Sequence, residues 1–393
     1  MTQQTSLCVT TFQHFATQTI RYVSILKYIC TNRKKQPQLI LMRNITKTIF
    51  LLFSLLLLAG CTLHSENKKD KKDETSDTLS TTLENIDNID ESDATEKAEF
   101  VDTMEYDKMM MHMVNGDTTG LWPVANEEYP LEGAIFPFKR IVCYYGNLYS
   151  KNMGALGEYP PKEMWRMLKD EVAAWQAADP DTPVIPAIHY IAATAQMASM
   201  KDNTYRMRMP DHQIDSALAI AKMEDALLFL DVQVGHSSVL KEAQALEKYL
   251  KMSHVHFGID PEFSMKEGHV PGKKIGTFDA EDINAVTSYL AELVRDNNLP
   301  PKILIVHRFT QGMVTNYKNI KRNPEVQIVM DMDGWGAPQL KYSTYERYIR
   351  KEPVQFTGFK IFYKNDLKRP PHRLLTPEEV MQLKPRPIYI QYQ

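Results

Sequence analysis

Cysteine is scarce in this chain: 4 among 393 residues, at Cys8, Cys30, Cys61 and Cys143. So few thiols form no disulfide framework, and a large apolar core must hold the body together. A basic excess is missing as well. The 46 Lys and Arg against 49 Asp and Glu leave a formal charge of -3, and no Lys/Arg stripe carries interleaved aromatics, so nucleic acid is not an expected partner. The chain has no HExxH, no paired Cys ligands and no internal repeat. What is present is 43% hydrophobic and 24% charged side chains, the composition of a globular protein with room for one large domain.

Long apolar runs are confined to one place. From Met42, the basic Arg43 and Lys47 lead into the apolar run 49–58, then Ala59, Gly60 and Cys61. The basic start, apolar run and small residues match an export signal, and the run is short for a membrane span. This segment resembles a bacterial lipoprotein signal with the lipobox Leu58-Ala59-Gly60-Cys61. The resemblance implies cleavage before Cys61 and a lipid anchor on its thiol; an uncleaved N-terminal anchor is the alternative. Both place the body in the cell envelope, outside the cytoplasmic membrane. Met42 is then the expected start, with residues 1–41 an upstream extension and 1–60 the extension plus signal. Residues 61–103, typified by "SENKKDKKDETSD", bury too little to offset their ordering entropy and read as a polar tether.

The third expected unit is 104–393. It opens on "MEYDKMMMHMVNG", where Met104, Met109, Met110, Met111 and Met113 surround His112. Thioethers at this density bind Cu(I) or fill an irregular packing surface; the second reading makes 104–137 a segment docked on the next body.

From Arg140 on, eight short apolar runs alternate with segments of helical period. They are 140–146, 183–191, 226–235, 255–263, 302–309, 326–336, 354–363 and 386–393. Near-continuous apolar strands suit a parallel sheet covered on both faces. The segments "PPKEMWRMLKDEVAAWQAAD" and "DAEDINAVTSYLAELVRDNN" carry helix starts and one apolar face each; weaker helices are expected at 211–224, 238–252, 311–321, 341–351 and 376–383. Eight strands and seven helices in about 250 residues predict an α/β fold, a (β/α)8 TIM barrel lacking its final helix. The segment 104–137 would cover that gap or the barrel floor. Pro186 lacks the N–H an interior strand needs, which predicts a bulge or a late start in strand two.

In such a barrel chemistry sits at the C-terminal ends of the strands. The polar residues of this chain fall late in their runs: Tyr145, His189, Asp231 and Gln233, Asp260 and Glu262, His307, Asp331 and Asp333, Lys360, Gln391. Residues two apart share a face, and an ionised carboxylate aimed into the helix layer is costly unless paired. The barrel mouth is the expected destination. Taken singly, each of these residues is better explained by a helix cap or a loop ion pair, His307 also by a satisfied core histidine and "DGWG" by a turn; five carboxylates converging from strands three, four and six favour a functional pocket,. Two carboxylates in unlike environments divide acid and base roles, as glycoside hydrolysis requires at separations of about 5 Å or about 6.5–9.5 Å. Trp335, with Tyr144, Tyr145, Tyr149 and Tyr363, offers sugar-stacking faces.

The Asp260-x-Glu262 ending of strand four resembles secreted glycosidases of the chitinase and muramidase type, which implies Glu262 as general acid and Asp260 as its helper. The chain departs from the first pattern at Gly258 and Val255, and from the second at Tyr144 and Tyr145. Over 140–393 it is more similar to a bacterial lipoprotein family with a glycoside-hydrolase-like TIM barrel, through "YYG", "LDxQ", "DPE", "VH-x-F", "DGWG" and a terminal "YQ"; that resemblance assigns no substrate. The resulting expectation is a carbohydrate hydrolase with Glu262 as acid, Asp333 or Asp331 as base or stabiliser, and Asp231 and Asp260 tuning the acid. Tyr145, His189, Gln233, His307, Trp335, Lys360 and Gln391 would bind substrate. No cofactor or metal is expected, and the partners are the membrane through Cys61 and a glycan substrate, with the protein a monomer. Two other classes stay open. A metal-dependent hydrolase would use His189, Glu262, His307 and Asp331 or Asp333 as ligands, and a binding protein would hold glycan without cleaving it.

Overall fold

The computed structural model describes residues 99–125, 128–200, 202–266 and 268–393. The signal, Cys61 and almost all of the tether lie outside these residues. Among the described residues no helix is long and apolar enough to cross a membrane.

Eight parallel strands close into a barrel: β1 (Arg140–Gly146), β2 (Val184–Ala195), β3 (Leu227–Val232), β4 (Val255–Ile259), β5 (Lys302–Arg308), β6 (Val326–Met332), β7 (Phe356–Ile361) and β8 (Tyr389–Tyr392). Each pairs in parallel with the next, and β1 closes the ring on β8. The fold is therefore a (β/α)8 barrel. Alternation along each strand sorts the side chains. On β1, Val142 and Tyr144 join the outer core under the helices, while Ile141 and Cys143 join an inner core with Ala187, Phe229, Ile305 and Val329.

Among the α-helical segments of the described residues, α1 (Thr103–Val114) precedes β1, α2 (Pro161–Ala178) follows it, and α3 (Asp211–Lys222), α4 (Val239–Ala245), α5 (Ala280–Asp296), α6 (Pro338–Tyr345) and α7 (Pro377–Val380) follow β2, β3, β4, β6 and β7. Helix α5 shows why sequence fixes its start: Asp279 and Asp282 form a reciprocal capping box, and Ile283, Val286 and Leu290 bury one face,. Between β5 and β6 the expected helix at 311–321 is replaced by two single 3₁₀ turns flanking the strand pair Phe278–Asp279 with Val314–Thr315. Asn316 takes a left-handed backbone there (φ 55), and a helix does not continue through such a residue.

Strand β2 runs without interruption through Pro186. Its ladder to β3 begins only at Ala187, one residue after Pro186, whereas on the other side Pro186 stands in register with Val142 of β1; the register shift sits later, between Ile191 and Ala193. No helix follows β8 among the described residues. Its outer face is covered by α2 instead: the Trp175 indole donates to Tyr392 Oη at 3.0 Å, and Tyr392 stacks on Tyr363 with centroids 5.1 Å apart.

Helix α1 lies under the barrel. Tyr106, Met110 and Met113 pack with Phe136, Ile141 and Phe356, whereas Met104 and Met111 face solvent. The methionines thus divide between opposite faces, and His112 is engaged by Asp179 (2.9 Å) and Arg386, which leaves no thioether cage for copper. The plug is pinned by Gln327 of β6, whose Oε1 accepts from the Ile135 and Phe136 amides and whose Nε2 donates to Phe136 O.

Candidate active site

Strand register delivers the polar residues to one level of the barrel. Tyr145 lies beside His189, Asp231 beside Gly258, His307 beside Asp331, Asp331 beside Gly358 and Gly358 beside Tyr389. The two glycines are required by close approach. A Cβ at Gly258 would stand 2.5 Å from His189 Nε2 and 2.6 Å from Asp231 Oδ1, and one at Gly358 would stand 2.5 Å from Asp331 Oδ1. Any larger residue would displace the polar cluster.

The cluster has two tiers. In the lower tier His189, Asp231, His307, Asp331 and Gln391 are fully buried. His307 Nδ1–H donates to Asp331 Oδ2 at 3.1 Å and lies 3.4 Å from Asp333 Oδ2. His189 Nδ1 is 2.5 Å from Tyr389 Oη, to which Gln391 Nε2 donates at 2.9 Å. The upper tier opens into a hollow of about 430 Å³ at the C-terminal end of the strands. Its polar wall is Tyr145, Gln233, Asp260, Glu262, Asp333 and Lys360, and its apolar wall includes Phe263, Phe309, Phe362 and Trp335. Tyr145 joins the tiers, its hydroxyl donating to Asp231 Oδ2 at 3.0 Å.

Short turns aim the mouth residues. The chain leaves β4 through Asp260, whose Oδ1 accepts from the Glu262 amide at 3.0 Å and so shapes the 3₁₀ turn Pro261–Phe263. Gln233 Nε2 lies 3.5 Å from Asp260 Oδ2. Asp333 is ion-paired to Lys360, with Nζ 2.9 Å from Oδ1, and the same ammonium sits 3.9 Å from the Tyr145 ring centroid. Trp335 is 46% exposed at the rim of the hollow, with Lys368 Nζ 5.6 Å from its ring centroid.

Burial and mutual charge split the protonation states. Burial, reinforced by Asp333 and opposed by Lys360 and His307, pushes Glu262 up to about 7. Burial also holds Asp260 well above the carboxylate range, with Glu262, Asp231 and Asp333 adding to the effect against His307. Burial would discharge His307, but the carboxylates of Asp333 and Asp231 outweigh it and raise its pKa well above the usual value. Burial lowers His189 to about 4 despite Asp231. Burial likewise opposes the charge of Asp231, yet His307 and His189 keep it below the ordinary range. Below pH about 7 the mouth therefore favours protonated Glu262 and Asp260, beside Asp333 ion-paired to Lys360.

Of the residues singled out from sequence, Tyr145, Gln233, Asp260, Glu262, Asp333, Trp335 and Lys360 line the hollow. His189, Asp231, His307, Asp331 and Gln391 are fully buried and do not line it. Three of the proposed stacking tyrosines are elsewhere: Tyr144 and Tyr363 bond to each other at 2.8 Å in the outer layer, and Tyr149 faces solvent beside His212. Their strand parity or loop position turns them away. Gln393, a late polar residue of the last run, stands at the rim; the apolar wall of phenylalanines, Tyr389 and the two glycines were missed. Tyr389 was legible, being two residues before Gln391 on one strand.

No family model and no curated protein matches the chain. Solved structures share distant similarity. A xyloglucan-specific endo-β-1,4-glucanase of glycoside hydrolase family 5 from a metagenomic library is 13% identical, covering 57% of this chain and 77% of its own, at a TM-score of 0.29. A broad-specificity endoglucanase from an uncultured bovine rumen ciliate is 10% identical over 53% and 73% at 0.30. The cellulose synthase subunit Z of Clostridioides difficile is 10% identical over 65% and 92% at 0.32. At such scores the barrel assignment rests on this chain's own strand pairing.

Proposed function

We propose that this protein is an exported, lipid-anchored carbohydrate hydrolase that cleaves a glycosidic bond by carboxylate general acid/base catalysis. The observation that carries the reading is the unlike pair in one open hollow. Glu262 is held protonated near neutrality by burial and by Asp333, while Asp333 is ion-paired to Lys360. Protonating a leaving oxygen needs a carboxyl of raised pKa, and stabilising an oxocarbenium-like centre needs a carboxylate. In this reading Glu262 delivers its proton to the glycosidic oxygen, and Asp333 acts on the anomeric centre or on the attacking water. Asp260 fixes the Glu262 turn. Trp335 and the phenylalanine wall take the sugar faces, with Tyr145, Gln233 and Lys360 left to bond hydroxyl groups.

The anchor on Cys61 and the envelope location rest on the lipobox-like segment, which supports the reading by its order of basic, apolar and small residues,. The test is reducing-sugar release from a panel of polysaccharides by the full chain, with Glu262→Gln as the control. Release by wild type and its loss in a folded Glu262→Gln support the proposal. Saturable glycan binding with no release makes the protein a binding lipoprotein, and equal release by both proteins removes Glu262 from the mechanism.

A further inference from the structure

We infer that His189, Asp231 and His307 form a binding site for one divalent transition-metal ion beneath the hollow, with His189 Nε2, Asp231 Oδ1 and His307 Nε2 as ligand atoms. This goes beyond the proposed hydrolysis and departs from the expectation of no metal.

The argument starts from unpartnered atoms. All three residues are fully buried, and each of the three named atoms lacks a hydrogen-bond partner. A buried polar atom left in that state is costly. Three of them converge here. Asp231 Oδ1 is 3.4 Å from His189 Nε2 and 3.5 Å from His307 Nε2, and all three lie within 4.8 Å of one another. An ion bound tetrahedrally at the zinc–nitrogen and zinc–oxygen lengths spaces its ligands about 3.3 Å apart. The two measured edges match that spacing.

The outer contacts are those of a ligating set. His307 presents its other nitrogen to Asp331 at 3.1 Å, His189 presents its own to Tyr389 Oη at 2.5 Å, and Asp231 accepts from Tyr145 through its second oxygen. Each residue is thus held by one atom and offers the other. A carboxylate or hydroxyl behind a metal-bound imidazole fixes the tautomer and ring direction in this way. Gln391 Nε2 also lies 3.0 Å from His189 Nδ1; an ion bound between the two Nε2 atoms would set the remaining proton of each histidine on Nδ1 and displace the one His307 otherwise holds beside Asp231. Gly258 keeps the adjoining volume free, since a Cβ there would fall within 2.6 Å of two of the ligand atoms. Two imidazoles and one carboxylate suit Zn²⁺, Co²⁺ or Fe²⁺ rather than Mg²⁺ or Ca²⁺. The site does not line the hollow, so the ion would anchor Tyr145 and His307 from below rather than touch the substrate.

The experiment uses the full chain, stripped with chelator under mild denaturation and refolded without metal, then titrated with Co²⁺ and, separately, Zn²⁺. Wild type should take up about one equivalent and show the visible absorption of tetrahedral Co²⁺. Tyr389→Phe, which keeps the ring and removes the hydroxyl shared by His189, Gln391 and Cys143, should bind about 10- to 100-fold more weakly. Asp231→Asn should lose the spectrum, with circular dichroism checking its fold. Glu262→Gln should retain the full equivalent, which separates this inference from the hydrolase reading. Absence of stoichiometric uptake by refolded wild type overturns the proposal, as does an unchanged spectrum and affinity in folded Asp231→Asn.

Discussion

Lys360 Nζ stands 2.9 Å from Asp333 Oδ1 and 3.9 Å from the centre of the Tyr145 ring, so one buried ammonium of β7 organises two walls of the hollow. It also opposes the rise in the Glu262 pKa. Replacing Lys360 by Met should therefore do two things at once. Turnover should fall by about 10²-fold as Asp333 loses its counter-charge, and the alkaline limb of the pH profile should move upward. A slower enzyme with an unmoved limb would count against the placement of Lys360.

The pH profile of the wild type follows from the same group. Glu262, raised to about 7, is the active acid only while protonated. The value of kcat/KM should hold below pH about 7 and decline above it, a limb that belongs to the free enzyme. Asp333→Asn removes a cause of the rise and should shift the limb to lower pH in whatever activity survives.

Stability falls in the same direction, over a lower pH window. A carboxyl whose folded pKa exceeds its unfolded value, about 4.3, stabilises below the unfolded pKa, and that contribution is lost as pH rises through the folded value. For Glu262 the window runs from about pH 4.3 to 7. Glu262→Gln has no such loss, so its thermal midpoint relative to wild type should rise across this window and level off above it. Scanning calorimetry at several pH values checks the sign.

Trp335 is the exposed ring of the hollow. Trp335→Ala should raise KM for an oligosaccharide about tenfold with kcat changed little, because stacking acts equally on ground and transition states. Steady-state kinetics decides; a selective fall in kcat would give Trp335 a role at the reacting bond.

Gly258→Ala and Gly358→Ala should each destabilise by about 1–3 kcal/mol, the cost of overpacking. The added methyl groups would meet His189 Nε2 at 2.5 Å and Asp331 Oδ1 at 2.5 Å. Urea titration measures this, and a neutral result at both positions would mean the cluster yields more freely than its packing implies.

The barrel was legible because all eight strands are apolar runs bounded by polar turns, and alternation then assigns parity without any coordinate. Parity alone placed Asp231, Asp331 and His307 inward. It did not say how deep they lie, since depth depends on register between neighbours and on what stands opposite. Hence residues two apart, Asp331 and Asp333, look equivalent in sequence and differ in space: one is sealed against His307, the other reaches the hollow. Gly258 reads in the sequence only as a departure from a motif and Gly358 carries no signal there, whereas their missing side chains make the space the cluster occupies. The segment 311–321 misled for a local reason, an apolar spacing that Gly312 and Asn316 interrupt and that β pairing of Val314–Thr315 resolves.

The central claim is that Glu262 donates the proton to the departing oxygen. The most direct measurement compares wild type and Glu262→Gln on two aryl glycosides of the sugar that the polysaccharide panel selects, one with a phenol that leaves unaided and one with a poor leaving group. The account predicts near-wild-type bond cleavage of the first by the variant and a loss of at least about 10²-fold on the second. Equal losses on both, or none on either, would contradict it.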